Sequence, residues 1–115
     1  MDEIKTITAE IRAFVDERDW LQFHNPKELA AAIAIEAAEL QEQFLWKDYK
    51  ASEAHADETL EPIADEIADI AVYLFELAEN LGLDLAAEMR RKMAKNAEKY
   101  PVEKARGSNL KYTEL

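Results

Sequence analysis

Apolar side chains return every three or four positions through most of this chain, and the returns group into four stretches. Ile4, Ile7, Ile11, Phe14 and Val15 share one face of a helix predicted from about Glu3 to Asp19. A short irregular segment, Trp20 to His24, separates it from a second helix with a marked start. Asn25 is a good N-cap, Pro26 suits the first helical position, and Glu28 completes a capping-box pattern. That helix carries Leu29, Ile33, Leu40 and Phe44 on one side and is expected to run to about Trp46 or Lys47. Residues 48–57, with Ser52, His55 and Asp57, read as an exposed connection. A third helix is predicted to begin near Glu58 to Glu61, tolerating Pro62 in its first turn, and to end at a C-cap over Asn80, Leu81 and Gly82. Along it Ile63, Ile67, Ile70, Leu74, Leu77 and Leu81 recur at heptad-like spacing. A fourth starts after Asp84 and stops at Tyr100, before Pro101. Short connections between amphipathic helices predict an all-α fold, an antiparallel four-helix bundle over residues 1–101. Residues 102–115 are expected to form an irregular tail. Large apolar faces on only four helices also predict an oligomer.

Composition narrows the chemistry. The 115 residues fit one domain with one core. Two glycines and three prolines leave little material for hairpins or phosphate-cradling glycine loops. The absence of cysteine excludes a disulfide framework, a thiolate metal site and a cysteine nucleophile. No N-terminal signal segment is visible, and no apolar run approaches the roughly 20 residues of a membrane span. A soluble, cytoplasmic protein with no membrane partner is therefore expected. The net charge of −11 argues against binding a nucleic acid polymer, whose affinity rests on phosphate neutralisation. Residues 1–87 carry six Lys and Arg against 21 Asp and Glu, whereas residues 88–115 carry eight against four. An acidic body followed by a basic helix and tail suits a small polyphosphate held through a metal on one side and cations on the other. A solvated face paired with the acidic body explains the charge alone more simply.

Four acids lie where an apolar stripe would not place them. At about 100° per residue, Glu36 falls within about 20° of Leu29 and 40° of Leu40, with Glu39 about 60° further round. The third helix repeats the arrangement: Glu66 lies about 20° from Tyr73 and Leu77, and Asp69 about 60° beyond it. Several carboxylates at a core edge raise one another's pKa values unless a cation resolves the conflict. Magnesium is the natural candidate, taking carboxylate oxygens and keeping other positions for water or phosphate. No Glu-x-x-His occurs, since Leu21 and Ser52 stand three residues before His24 and His55; a ferritin-like di-iron bundle is therefore disfavoured. The competing account pairs Glu36 and Glu66 with Lys or Arg of the fourth helix.

The pattern Glu36-x-x-Glu39, a gap of 26 residues, then Glu66-x-x-Asp69 resembles the signature of the all-α nucleotide pyrophosphohydrolases, the MazG-like superfamily. The segments from Arg18 to His24 and from Phe44 to Lys47 are similar to its dCTP pyrophosphatase branch. So are Lys92-Met93 with Asn96, Tyr100-Pro101, and the terminal run from Lys111 to Leu115. The likeness spans nearly the whole chain and is weakest over 48–62. It implies hydrolysis of a nucleoside triphosphate such as dCTP between the α and β phosphates, giving the monophosphate and diphosphate. It implies Mg2+ held by Glu36, Glu39, Glu66 and Asp69, which form the catalytic set. One of these carboxylates, Glu39 for example, can accept a proton from the attacking water, and spacing does not choose among them. No Ser-His-Asp set or P-loop is evident, so direct attack by water is the simpler route.

The same resemblance assigns base recognition to Trp20, His24, Trp46 and Tyr73, with Asn96 as a hydrogen-bonding partner. Flat rings can sandwich a base while an imidazole or amide reads its edge. Core packing competes for each Trp and for Tyr73, and local bonding to the turn competes for His24. Lys92 and Asn96, four residues apart, would face phosphates and sugar, with Lys111 and Tyr112 closing from the tail. Superfamily members assemble as dimers or dimers of dimers, which implies that a neighbouring chain can supply pocket residues. The implied role is house-cleaning of the nucleotide pool. Two rivals remain: a pyrophosphohydrolase for another or modified triphosphate, and a non-catalytic helical oligomerisation module.

Overall fold

The computed structural model describes residues 2–115, and every regular element among them is helical. The α-helices are α1 (Glu3–Glu17), α2 (Pro26–Glu42), α3 (Tyr49–Glu58), α4 (Leu60–Asn80), α5 (Leu85–Lys99) and the single turn α6 (Val102–Ala105). Short 3₁₀ turns cover Leu21–Phe23 and Tyr112–Glu114. Four helices begin where a short polar side chain satisfies an amide that has no partner within the helix. Asp2 accepts from the Ile4 amide at 3.0 Å and Asn25 from that of Glu28 at 3.0 Å. Asp48 accepts from Ala51 at 2.9 Å, and Asp84 from Ala87 at 3.1 Å. Helix α4 closes in a Schellman arrangement: the Leu83 amide donates to the Ala78 carbonyl at 2.8 Å and that of Gly82 to Glu79 at 2.9 Å. Gly82 takes the left-handed conformation that this closure requires, with φ 71°.

The chain divides into two compact units, one reaching to Leu83 and the other covering Asp84–Leu115. In the first, α4 is the central element. Helix α2 packs most extensively along it, and α1 and α3 also lie against it. Ile11 and Val15 of α1, Leu29 of α2, and Ile63 and Ala78 of α4 are buried, Leu29 most completely at 1% exposure. In the second unit, the Tyr112 ring meets that of Tyr100 edge-on at 6.1 Å, and the Lys99 ammonium sits 4.8 Å from the Tyr112 centroid. Among the described residues, no helix is long and apolar enough to cross a membrane.

Three expectations are corrected. Helix α2 ends at Glu42 rather than near Trp46, because its last turn tightens into i to i+3 bonds. The amides of Gln43, Phe44 and Leu45 donate to Leu40, Gln41 and Glu42 at 3.2, 3.0 and 3.2 Å, and Trp46 then turns left-handed with φ 63°. The segment 48–57, expected as an exposed connection, is mostly helix α3, started by the Asp48 cap. The tail is not wholly irregular: it contains α6 and the 3₁₀ turn Tyr112–Glu114.

Candidate active site

Helices α2 and α4 bring together three of the four predicted acids. One carboxylate oxygen each from Glu36, Glu39 and Glu66 lies within 4.8 Å of the others. Glu36 and Glu66 are half-buried and Glu39 is exposed. The Oε2 atoms of Glu36 and Glu66 are buried and meet no hydrogen-bond donor. The Glu66 carboxyl is pushed up to about 7 from the usual 4.5. The first cause is a proton shared with Glu36; burial follows, then the negative charges of Glu39 and Glu36. Carboxylate oxygens alone, two of them without a donor, fit a hard divalent cation that takes oxygen ligands. Asp69, exposed and one turn beyond Glu66, does not join this tight trio.

Asp69 instead lines an adjoining cleft of about 380 Å³, the size range of small-molecule sites. Its walls are largely apolar, from Ile7, Ile11, Phe14 and Val15 of α1 and Val72 of α4. Trp20, His24 and Tyr73 add flat polar-tipped rings. Trp20 meets Phe14 edge-on at 5.9 Å and lies 6.1 Å from the His24 ring, tilted by 43°. Tyr73 links cleft and trio: burial and then the charges of Glu36, Asp69 and Glu76 raise its phenol above the usual 10. A second, more polar opening of about 460 Å³ is lined by two of the acids, Glu39 and Glu66, with Glu42, Gln43, Lys47 and His55.

Residues 31–115 match the model of the MazG-like family. The chain belongs to the MazG-like family. Along its full length it is 38% identical to dCTP pyrophosphatase 1 of Bos taurus, covering 68% of that protein. It is 36% identical to dCTP pyrophosphatase 1 of Homo sapiens, covering 67% of it. The crystal structure of a pyrophosphatase from Archaeoglobus fulgidus superposes with a TM-score of 0.84 at 34% identity, over 88% of this chain and 94% of that one.

The remaining predicted site residues of this MazG-like chain fall in different places. Trp46 is 94% exposed in the turn after α2 and does not line the cleft. On α5 the Lys92 ammonium donates to Asn96 Oδ1 at 2.8 Å. Lys111 precedes the terminal 3₁₀ turn, which holds Tyr112 against Tyr100. Two groups escaped the sequence reading. His55 on α3 bonds through Nε2 to Gln43 and Thr59, each at 3.1 Å, and borders the polar opening. Glu76, only 5% exposed, binds the His24 ring. The angular criterion that singled out Glu66 does not reach Glu76, which lies about 80° from Glu66 around the helix; its spacing of seven residues, about 20°, from Asp69 was the available signal.

Proposed function

We propose that this MazG-like protein hydrolyses a nucleoside triphosphate to its monophosphate and diphosphate, with dCTP as the substrate. One observation carries the reading: Glu36, Glu39 and Glu66 converge, with two buried oxygens lacking donors, beside a cleft walled by Trp20, His24 and Tyr73. The named activity of the bovine and human relatives supports it and supplies the choice of base. Glu36, Glu39 and Glu66 would hold Mg2+, with Asp69 as the fourth ligand that the family resemblance implies. When bound, Mg2+ supplies neutralising charge for the polyphosphate and acidifies a water molecule. Glu39, the exposed member, has the access to accept a proton from attacking water. Trp20 and Tyr73 flank the base, and the apolar cleft excludes water from it.

Lys92, Asn96, Lys111 and Tyr112 keep their expected roles toward phosphates and sugar in this proposal. Residues 1–101 then form the catalytic domain, a helical bundle, and 102–115 the tail that engages substrate. We further propose a homo-oligomer, a dimer or dimer of dimers. Its support is the exposed apolar surface of α2 and α4, where Ile35, Ile67 and Leu74 stay in solvent. Trp46 would reach a base from a second copy.

The test is incubation with Mg2+ and each deoxy- and ribonucleoside triphosphate, with products separated by ion exchange. Monophosphate plus diphosphate, formed fastest from dCTP and lost in Glu66→Gln, is expected. The same products from another nucleotide would discard dCTP alone. No product from any nucleotide would leave the oligomerisation module as the better account.

A further inference from the structure

Glu76 is the one charged residue among the described residues that is buried, and the catalytic reading does not use it. Its Oε2 lies 2.5 Å from His24 Nδ1, the one hydrogen bond recorded for this carboxylate among the described residues. A buried carboxylate is costly unless it is paired or hydrogen-bonded, so its retention on an apolar helix face needs a cause. The partner is held with care. The His24 amide donates to the Leu21 carbonyl at 3.1 Å, and the Asn80 side chain donates to the His24 carbonyl at 3.2 Å. Helix α4 therefore grips His24 twice, by its backbone through Asn80 and by its ring through Glu76. The ring borders the cleft beside Trp20, and its Nε2 makes no hydrogen bond among the described residues.

We propose that Glu76 is a specificity-determining positioning residue. It fixes His24 as the Nδ1–H tautomer, so that Nε2 meets a bound base as a hydrogen-bond acceptor. A carboxylate oxygen accepts, so the hydrogen of this bond sits on Nδ1, and a ring whose single hydrogen is there carries its lone pair on Nε2. An acceptor at that point welcomes the amino group of a 4-aminopyrimidine and opposes the carbonyl of a 4-oxopyrimidine. Rejection by a polar group left unpaired is the stronger form of discrimination available to a small cleft. The inference rests on the cleft being the base site, and it deepens that reading by assigning the feature that tells cytosine from uracil.

The test separates this from hydrolysis by using free nucleosides. The nitrogen-15 shifts of His24 are recorded in the wild-type protein and in Glu76→Leu, with His55→Gln identifying the second histidine signal. Affinities for 2′-deoxycytidine and 2′-deoxyuridine are measured on the same samples. The expected result is an Nδ1–H tautomer and a preference for deoxycytidine in the wild type. In Glu76→Leu, both the tautomer and about tenfold of that preference should be lost, the worth of one hydrogen bond. Wild-type His24 in the Nε2–H or doubly protonated form would overturn the proposal even if the variant fails to fold. So would an unchanged preference in a folded variant, or failure of both nucleosides to bind the wild type. Absent turnover of triphosphates alongside intact base discrimination would indict the catalytic reading alone.

Discussion

A carboxylate is hardest to keep ionised where other carboxylates are its neighbours, and Glu66 has two of them within reach. Its folded-state value of about 7 stands above the usual 4.5, so the folded form binds the proton more tightly than the unfolded form does. The stability this group contributes is complete below about 4.5 and is lost as pH rises through about 7. Metal-free wild type should therefore lose melting temperature across that window relative to Glu66→Gln, and calorimetry against pH compares the two slopes. If the trio holds Mg2+ as proposed, the cation binds its ionised form in the folded chain alone, so it should raise the wild-type melting temperature at pH 8 and not at pH 5. In turnover assays Glu66→Gln should lose about 100-fold or more, since even outer contacts to a metal ligand are worth up to about 100-fold. The trio was legible in the sequence because Glu36 and Glu66 fall on the apolar period of their helices. Its separation from Asp69 was not, because angles about one helix axis do not give distances between two helices.

Helix boundaries followed local chemistry. The cap at Asn25, read from sequence, is present as a 3.0 Å bond to the Glu28 amide. Asn25→Ala should cost about 1 kcal/mol, measured by denaturant unfolding. The residue next to it is His24, so the same change should also loosen the cleft wall. Leu29, one turn into α2, is the most buried side chain, and Leu29→Ala should cost about 2–5 kcal/mol in the same measurement. Helix α3 escaped the sequence reading because Tyr49–Glu58 has no apolar stripe and no buried residue; its Asp48 cap and its helix-favouring Ala, Glu and Lys were the available signals. The end of α2 was misplaced for the opposite reason. Phe44, Leu45 and Trp46 continue the apolar run although the backbone has already tightened and turned.

Across the whole chain, an acidic body keeps apolar surface in solvent, and Ile67 in the middle of α4 is 53% exposed. The heptad-like row along α4 was legible, and what a single chain leaves uncovered along it was not. Light scattering should give a mass of at least twice 13.2 kDa, and Ile67→Glu should shift it toward the monomer. The chain also contains two tryptophans in opposite surroundings. Trp20 stands in the cleft at 42% exposure, packed on Phe14, whereas Trp46 projects into solvent at 94%. The protein thus carries two optical reporters of different colour: Trp46 emits at the red end and is open to iodide quenching, and Trp20 emits further to the blue. A base entering the cleft would dim the blue component, and the docking of copies over Trp46 would shield the red one.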